Sequence, residues 1–228
     1  MTASGIANSA VHALHSGQTG ILAIVDQRVP DAEFLLASLA VPNHSGRVGP
    51  EEDGLEQLRE MAERFPRRPV IVICHGAPGA LILGERTITA DTVRSRRSTL
   101  SHIRKALAGA PVSLFACSVG EGLAGRTFLA MLAAGIDAPV SAASRPIGDA
   151  ARGGTWVLDI SVSTDPARLA QGGTAEGWPF DPAMLPAYKH LLCEDLQDGH
   201  GPGDRPGRRK AFRNDEPQRL GPLHQGTG

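Results

Sequence analysis

Three short stretches, ILAIVD at 21–26, VIVICHG at 70–76 and VSLFACS at 112–118, are apolar almost throughout, and each breaks off near a residue that can do chemistry. A strand with one wet face alternates apolar and polar residues. A run without alternation is covered on both faces, the usual situation inside a parallel sheet. The segments between these runs carry a helical period. VPDAEFLLASL at 29–39 has Asp31 as N-cap and a stripe of Phe34, Leu35, Leu36 and Leu39. GLEQLREMAERF at 54–65 puts Leu55, Leu58, Met61, Ala62 and Phe65 on one face, SRRSTLSHIRKALAG at 95–109 ends on Gly109, and GEGLAGRTFLAMLAAG at 120–135 offers Leu123, Phe128, Leu129 and Leu132 for packing. A short strand or loop falls in 41–53. In 80–95 Leu81, Leu83 and Ile88 alternate as in a hairpin, and PVSAAS at 139–144 and GTWVLDISV at 154–162 read as two further strands. Strand and helix in alternation predict an α/β fold, a mostly parallel sheet with helices on both faces.

With 228 residues the chain has room for one domain with a full core. The division expected is an N-terminal arm at 1–19, the α/β domain at 20–163, and a C-terminal extension at 164–194 whose DPAMLPAYKHLL forms one short helix. A disordered tail of Gly, Pro and charge follows at 195–228. The 23 basic and 24 acidic residues give a net charge of −1, so no field draws the chain to nucleic acid or to an anionic membrane surface. The start of the chain has neither the basic nor the apolar region of a signal peptide, and no window is apolar enough to span a bilayer. The expectation is a cytoplasmic protein, with any secretion independent of an N-terminal signal. Three cysteines, Cys74, Cys117 and Cys193, are too few and too far apart for a disulfide framework or a CxxC metal site, so neither cofactor nor metal is expected.

Function in an open parallel sheet gathers where the strands end at their carboxyl side. The three buried runs bring Asp26, His75 and Cys117 to that edge. A cysteine with a histidine on a neighbouring strand is the set needed to activate a thiolate, with the imidazole taking the thiol proton and later protonating a leaving amine. Gly76 lacks a Cβ, so its N–H can come close to a substrate and, with the Cys117 N–H, hold an oxyanion. Taken singly, a buried histidine or cysteine is more often structural, and Asp26 on its own is more often a loop or helix cap; the pairing of His75 with Cys117 is what favours chemistry. Cys74, one residue before His75, points to the opposite sheet face and reads as a core thiol. His44, His102, His190, His200 and His224, and the basic runs at 94–98 and 205–210, are assigned no role. HGAPGALILG lacks the pattern of a phosphate loop; GEGLAG at 120–125, which opens a helix, leaves anion binding as a minor reading.

A strand ending in His-Gly, followed by one ending in Ala-Cys (FACS at 115–118), resembles the caspase-like cysteine peptidases of clan CD. More closely, IVDQRVPDAEFLLASL, CHGAPGALILGERTIT, LFACSVGEGLAGRTFLAMLA and VSAASRPIGDAARGGTWVLDI are similar to successive blocks of the bacterial domain of unknown function 4347, a family placed among caspase-like folds, across about residues 21–160. The resemblance implies a caspase-like three-layer sandwich and a cysteine endopeptidase acting on a protein or peptide substrate. In it His75 is general base, Cys117 is nucleophile, Gly76 is an oxyanion donor, and Asp26 lines a specificity pocket suited to a basic side chain. The sequence departs from the family in carrying Cys74 where a Ser precedes His-Gly, and Phe115-Ala116 where Gly or Tyr-Gly precedes the cysteine. The alternative is a noncatalytic protein-binding module on the same fold. Oligomeric state is left open.

Overall fold

The computed structural model describes residues 20–169 and 179–193. Six strands form one sheet in the order β2-β1-β3-β7-β8-β9, from β1 (Ile21–Asp26), β2 (Asn43–Val48), β3 (Val70–Ile73), β7 (Val112–Phe115), β8 (Val140–Ala142) and β9 (Ile160–Val162). The first five run parallel and β9 is antiparallel to β8. The apolar runs at 21–26, 70–73 and 112–115 are the central strands β1, β3 and β7, every residue of which is buried. Beyond β3 the chain turns into a small antiparallel sheet of β4 (His75–Ala77), β5 (Ala80–Leu83) and β6 (Arg86–Thr89), the hairpin that alternation predicts.

The two faces of the sheet are covered differently. On one, Leu22, Ile24, Val70, Val72, Cys74, Val112 and Leu114 meet the apolar stripes of α2 (Gly54–Arg64), α4 (Arg97–Leu107) and α5 (Gly122–Ile136), together with Val93 of the short α3 (Ala90–Ser95). Asp53 caps α2 by accepting from the Leu55 and Glu56 N–H groups, and Thr89 with Thr92 forms a capping box on α3.

On the other face Ile21, Ala23, Val25, Ile71, Ile73 and Phe115 meet, among the described residues, one short α-helix, α1 (Ala32–Ala37), through Leu35. The rest of that face is closed by chain without regular helix: Phe180, Leu185, Tyr188 and Leu192 are all buried there, with Ile147 and Leu158. Trp156, Phe180, Tyr188 and Phe115 meet edge to face or tilted, with ring centroids 5.0–6.3 Å apart. Helices on both faces was the expectation. In the structure most of the helical packing is on one face, because the aromatic segment supplies the apolar cover that a second helical layer would otherwise provide.

Other departures have local causes. Of 154–162 only Ile160–Val162 pairs as strand, and Thr155 makes a single bridge to Ile147. The helix foreseen in 181–192 is one 3₁₀ turn, Leu185–Ala187, with Pro186 inside it. Asp31 occupies the N-cap position of α1 as expected, but at φ 49° its side chain makes no cap hydrogen bond. Leu123 is the exposed member of the helical stripe, 83% accessible on the first turn of α5. No helix among the described residues is long and apolar enough to cross a membrane. The arm at 1–19 and the tail at 195–228 lie outside the described residues.

Candidate active site

Alternation along the strands decides which groups meet. In β3, Ile71 and Ile73 face the aromatic segment while Val70, Val72 and Cys74 face the helices; in β7 and just beyond it, Phe115 and Cys117 face the aromatic segment while Leu114 and Ala116 face the helices. The register pairs Ile73 with Phe115, and the Cys74 N–H donates to the Phe115 carbonyl at 3.2 Å before His75 enters β4; His75 and Cys117 thus follow the ends of neighbouring strands, and both meet Leu192, through its carbonyl 2.7 Å from His75 Nδ1 and its N–H at the Cys117 sulfur. Cys74 takes the other face and is a core thiol whose burial raises its pKa beyond the ordinary range.

Gly76 packs directly on Ala116 and Cys117. A Cβ added to Gly76 would lie 2.9 Å from the Cys117 carbonyl oxygen, 2.9 Å from Ala116 Cβ and 2.7 Å from Val119 Cγ2, so only glycine lets the two strand ends approach this closely. Directly after Cys117 the backbone turns sharply: Ser118 holds φ 56°, a left-handed conformation unusual for a residue with a Cβ, and its N–H donates to the Arg145 carbonyl at 3.1 Å.

Both side chains are enclosed, His75 at 1% and Cys117 at 2% exposure. His75 Nδ1 lies 2.7 Å from the Leu192 carbonyl oxygen and Nε2 lies 3.2 Å from the Arg28 carbonyl oxygen. Both neighbours are acceptors, so a ring nitrogen that carries hydrogen donates to a backbone carbonyl, and the shorter contact is the one at Nδ1. Cys117 Sγ accepts from the Ile147 N–H at 3.3 Å and faces the Ile147 carbonyl at 3.8 Å. Burial pushes the Cys117 thiol up, a hydrogen bond with the Cys193 thiol adds to this, and backbone N–H groups of Ile147 and Leu192 only partly offset it, so the sulfur is held protonated.

Asp26 does not join this pair. Its parity sends it to the helical face with Leu22 and Ile24. There its carboxylate accepts from Arg28 N, Nε and Nη2 at 2.9, 2.8 and 2.7 Å and from the Gly84 N–H at 2.8 Å. Burial pushes that carboxyl up, but these hydrogen bonds outweigh it and leave its pKa below the usual carboxylate range. The position foreseen for a substrate's basic side chain is thus held by Arg28 of the same chain. Asp26 reaches the dyad only indirectly, since the Arg28 carbonyl faces His75 Nε2.

Arg28, Ile147, Leu192 and Cys193 are the site residues that sequence reasoning passes over. Arg28 had a signal, a cation two residues from a strand-end carboxylate; the other three come from segments far along the chain with no local pattern. No group of three or more His, Cys, Asp or Glu able to hold a metal occurs among the described residues.

The family profile of the domain of unknown function 4347 (DUF4347) matches residues 22–192. The chain belongs to the DUF4347 family. No curated protein matches the chain. The DUF4347 region begins inside β1 and ends at Leu192, so it takes in the strand ends bearing His75 and Cys117 together with the C-terminal segment that covers them.

Proposed function

We propose that this DUF4347 protein is a caspase-like cysteine endopeptidase acting on a protein or peptide substrate. The observation that supports the reading is that His75 and Cys117 directly follow the ends of the adjacent parallel strands β3 and β7 and both meet Leu192, with Gly76 packed on the Cys117 backbone. In the reaction His75 takes the Sγ proton and the thiolate adds to the scissile carbonyl. The Gly76 and Cys117 N–H groups hold the resulting oxyanion. His75 then gives its proton to the departing amine, and water hydrolyses the Cys117 thioester to release the acid and restore the thiol. Neither ring nitrogen is hydrogen-bonded to Cys117 Sγ among the described contacts, so turnover requires the site to open first.

The test is cleavage of an unfolded protein substrate by the wild type, Cys117→Ala and His75→Ala, with parallel mass-spectrometric labelling of Cys117 by iodoacetamide. Cleavage that is blocked by iodoacetamide and falls at least a hundredfold in both variants is the expected result, from the loss of nucleophile or base. Cleavage unchanged in Cys117→Ala would refute it. The second reading, a noncatalytic protein-binding module, is favoured by one observation: in this closed state both members of the pair are enclosed and engaged by backbone groups. It predicts partner binding that Cys117→Ala leaves intact.

A further inference from the structure

The segment covering the dyad is bound in the manner of a peptide. The Asp149 N–H donates to the His190 carbonyl at 2.9 Å, Gly148 bridges Leu191 in antiparallel sense, and the Leu192 N–H donates to the Ile147 carbonyl at 2.9 Å. Residues 190–192 therefore pair with the edge of the loop at 147–149 through one antiparallel bridge and its two flanking hydrogen bonds, a short form of the arrangement by which an extended ligand pairs with an exposed backbone. Gly148 holds φ 132°, and a Cβ there would stand 2.2 Å from the His190 carbonyl oxygen, so the loop is shaped to accept a backbone at that point. The pairing ends on the dyad: the Leu192 carbonyl meets His75 Nδ1 at 2.7 Å, and the next residue, Cys193, reaches the Cys117 thiol. The Leu192 side chain is fully enclosed in the cluster that holds Ile73, Phe115, Cys117, Ile147 and Tyr188.

We propose that His190–Cys193 is an internal pseudosubstrate, occupying the groove that receives an extended peptide and showing that the groove selects an aliphatic, leucine-class side chain on the residue whose carbonyl meets the dyad. This rests on the peptidase reading for its chemistry, and on the strand pairing alone for the groove. Recognition is then apolar. The carboxylate nearest in sequence logic, Asp26, is already closed by Arg28 and faces the other side of the sheet. The attached strap outcompetes a free peptide because tethering gives it an effective concentration on the order of millimolar. Substrate gains entry when the strap is weakened or drawn away.

The experiment uses the full chain and its Leu192→Ala variant, with iodoacetamide labelling of Cys117 as readout and an acetylated, amidated peptide of residues 188–192 as probe. Labelling at least tenfold faster in Leu192→Ala, and suppressed by the probe but not by the same peptide carrying Leu192→Asp, is the expected result. Equal suppression by both peptides, or no acceleration, overturns the proposal. Because Leu192→Ala could disturb folding, amide exchange on the unaltered chain gives a second measure. Cys117 labelling should track opening of the Leu192 N–H and run faster than exchange of β3; labelling only at the β3 rate overturns the proposal. Turnover of a fluorogenic amide of the 188–192 peptide by Leu192→Ala separates the two claims. Probe protection without turnover leaves the groove and its leucine pocket standing and overturns the peptidase reading.

Discussion

Asp26 shows how one step of alternation changes the meaning of a residue. At a strand end it looks free to meet substrate; one position out of phase with His75 and Cys117, it instead fastens Arg28 and the β5–β6 turn through Gly84. Its folded pKa is depressed, so the stability it contributes is present above the unfolded pKa and is lost as pH falls through the lower folded value. Asp26→Asn is expected to lower stability at neutral pH by about 2 kcal/mol, less than a fully buried pair would lose because Arg28 is partly exposed to solvent. The gap between wild-type and variant urea midpoints should narrow as the wild type is acidified below the usual carboxylate range. A gap independent of pH would show that the carboxylate's charge is not what matters. Cys117 follows the opposite sign. Burial and the Cys193 thiol hold it protonated, so alkylation in the closed state should stay slow across neutral pH and rise only when the chain opens.

At the scale of elements, the junction between β3 and β4 is the critical one. Gly76 is clamped by Val119, Ala116 and the Cys117 carbonyl, and two of these neighbours are the backbone and short side chain at the Cys117 turn. Gly76→Ala cannot be absorbed by a flexible side-chain end. It should cost about 1–3 kcal/mol and push the Cys117 turn away from His75. Thermal denaturation together with the Cys117 labelling rate checks this; an unchanged melting temperature would contradict it. The central strands and helices α2, α4 and α5 were legible because each carries a one-element signal, an unbroken apolar run or a 3.6-residue stripe. The segment 154–159 misled because its apolar residues are buried while its only ladder contact among the described residues is the bridge at Thr155. Trp156 and Leu158 serve the aromatic cluster, and burial by side-chain packing leaves the same trace in composition as burial in a ladder.

For the molecule as a whole, the segment at 179–193 is part of the core that covers one face of the sheet. Tyr188 is 1% exposed, stacks on Phe34, meets Trp156 edge to face, and its hydroxyl donates to the Pro30 carbonyl at 3.1 Å. Tyr188→Ala should cost about 3–5 kcal/mol, whereas Tyr188→Phe should lose only the hydroxyl's bond, about 1 kcal/mol. Chemical denaturation of the two variants tests this, and a small cost for Tyr188→Ala would mean the segment is laid on a core complete without it. The α/β class and the parallel central strands follow from local order along the chain, since period and apolar runs are properties of neighbouring residues. So does the arrival of an imidazole and a thiol at two strand ends. That both of these meet Leu192 while Asp26 is bonded to Arg28 and Gly84 was settled by tertiary contacts, above all one between His75 and Leu192, that no local pattern announces. Such a contact depends on which apolar surface remains uncovered once the sheet has formed, and that quantity belongs to the assembled core rather than to any stretch of sequence.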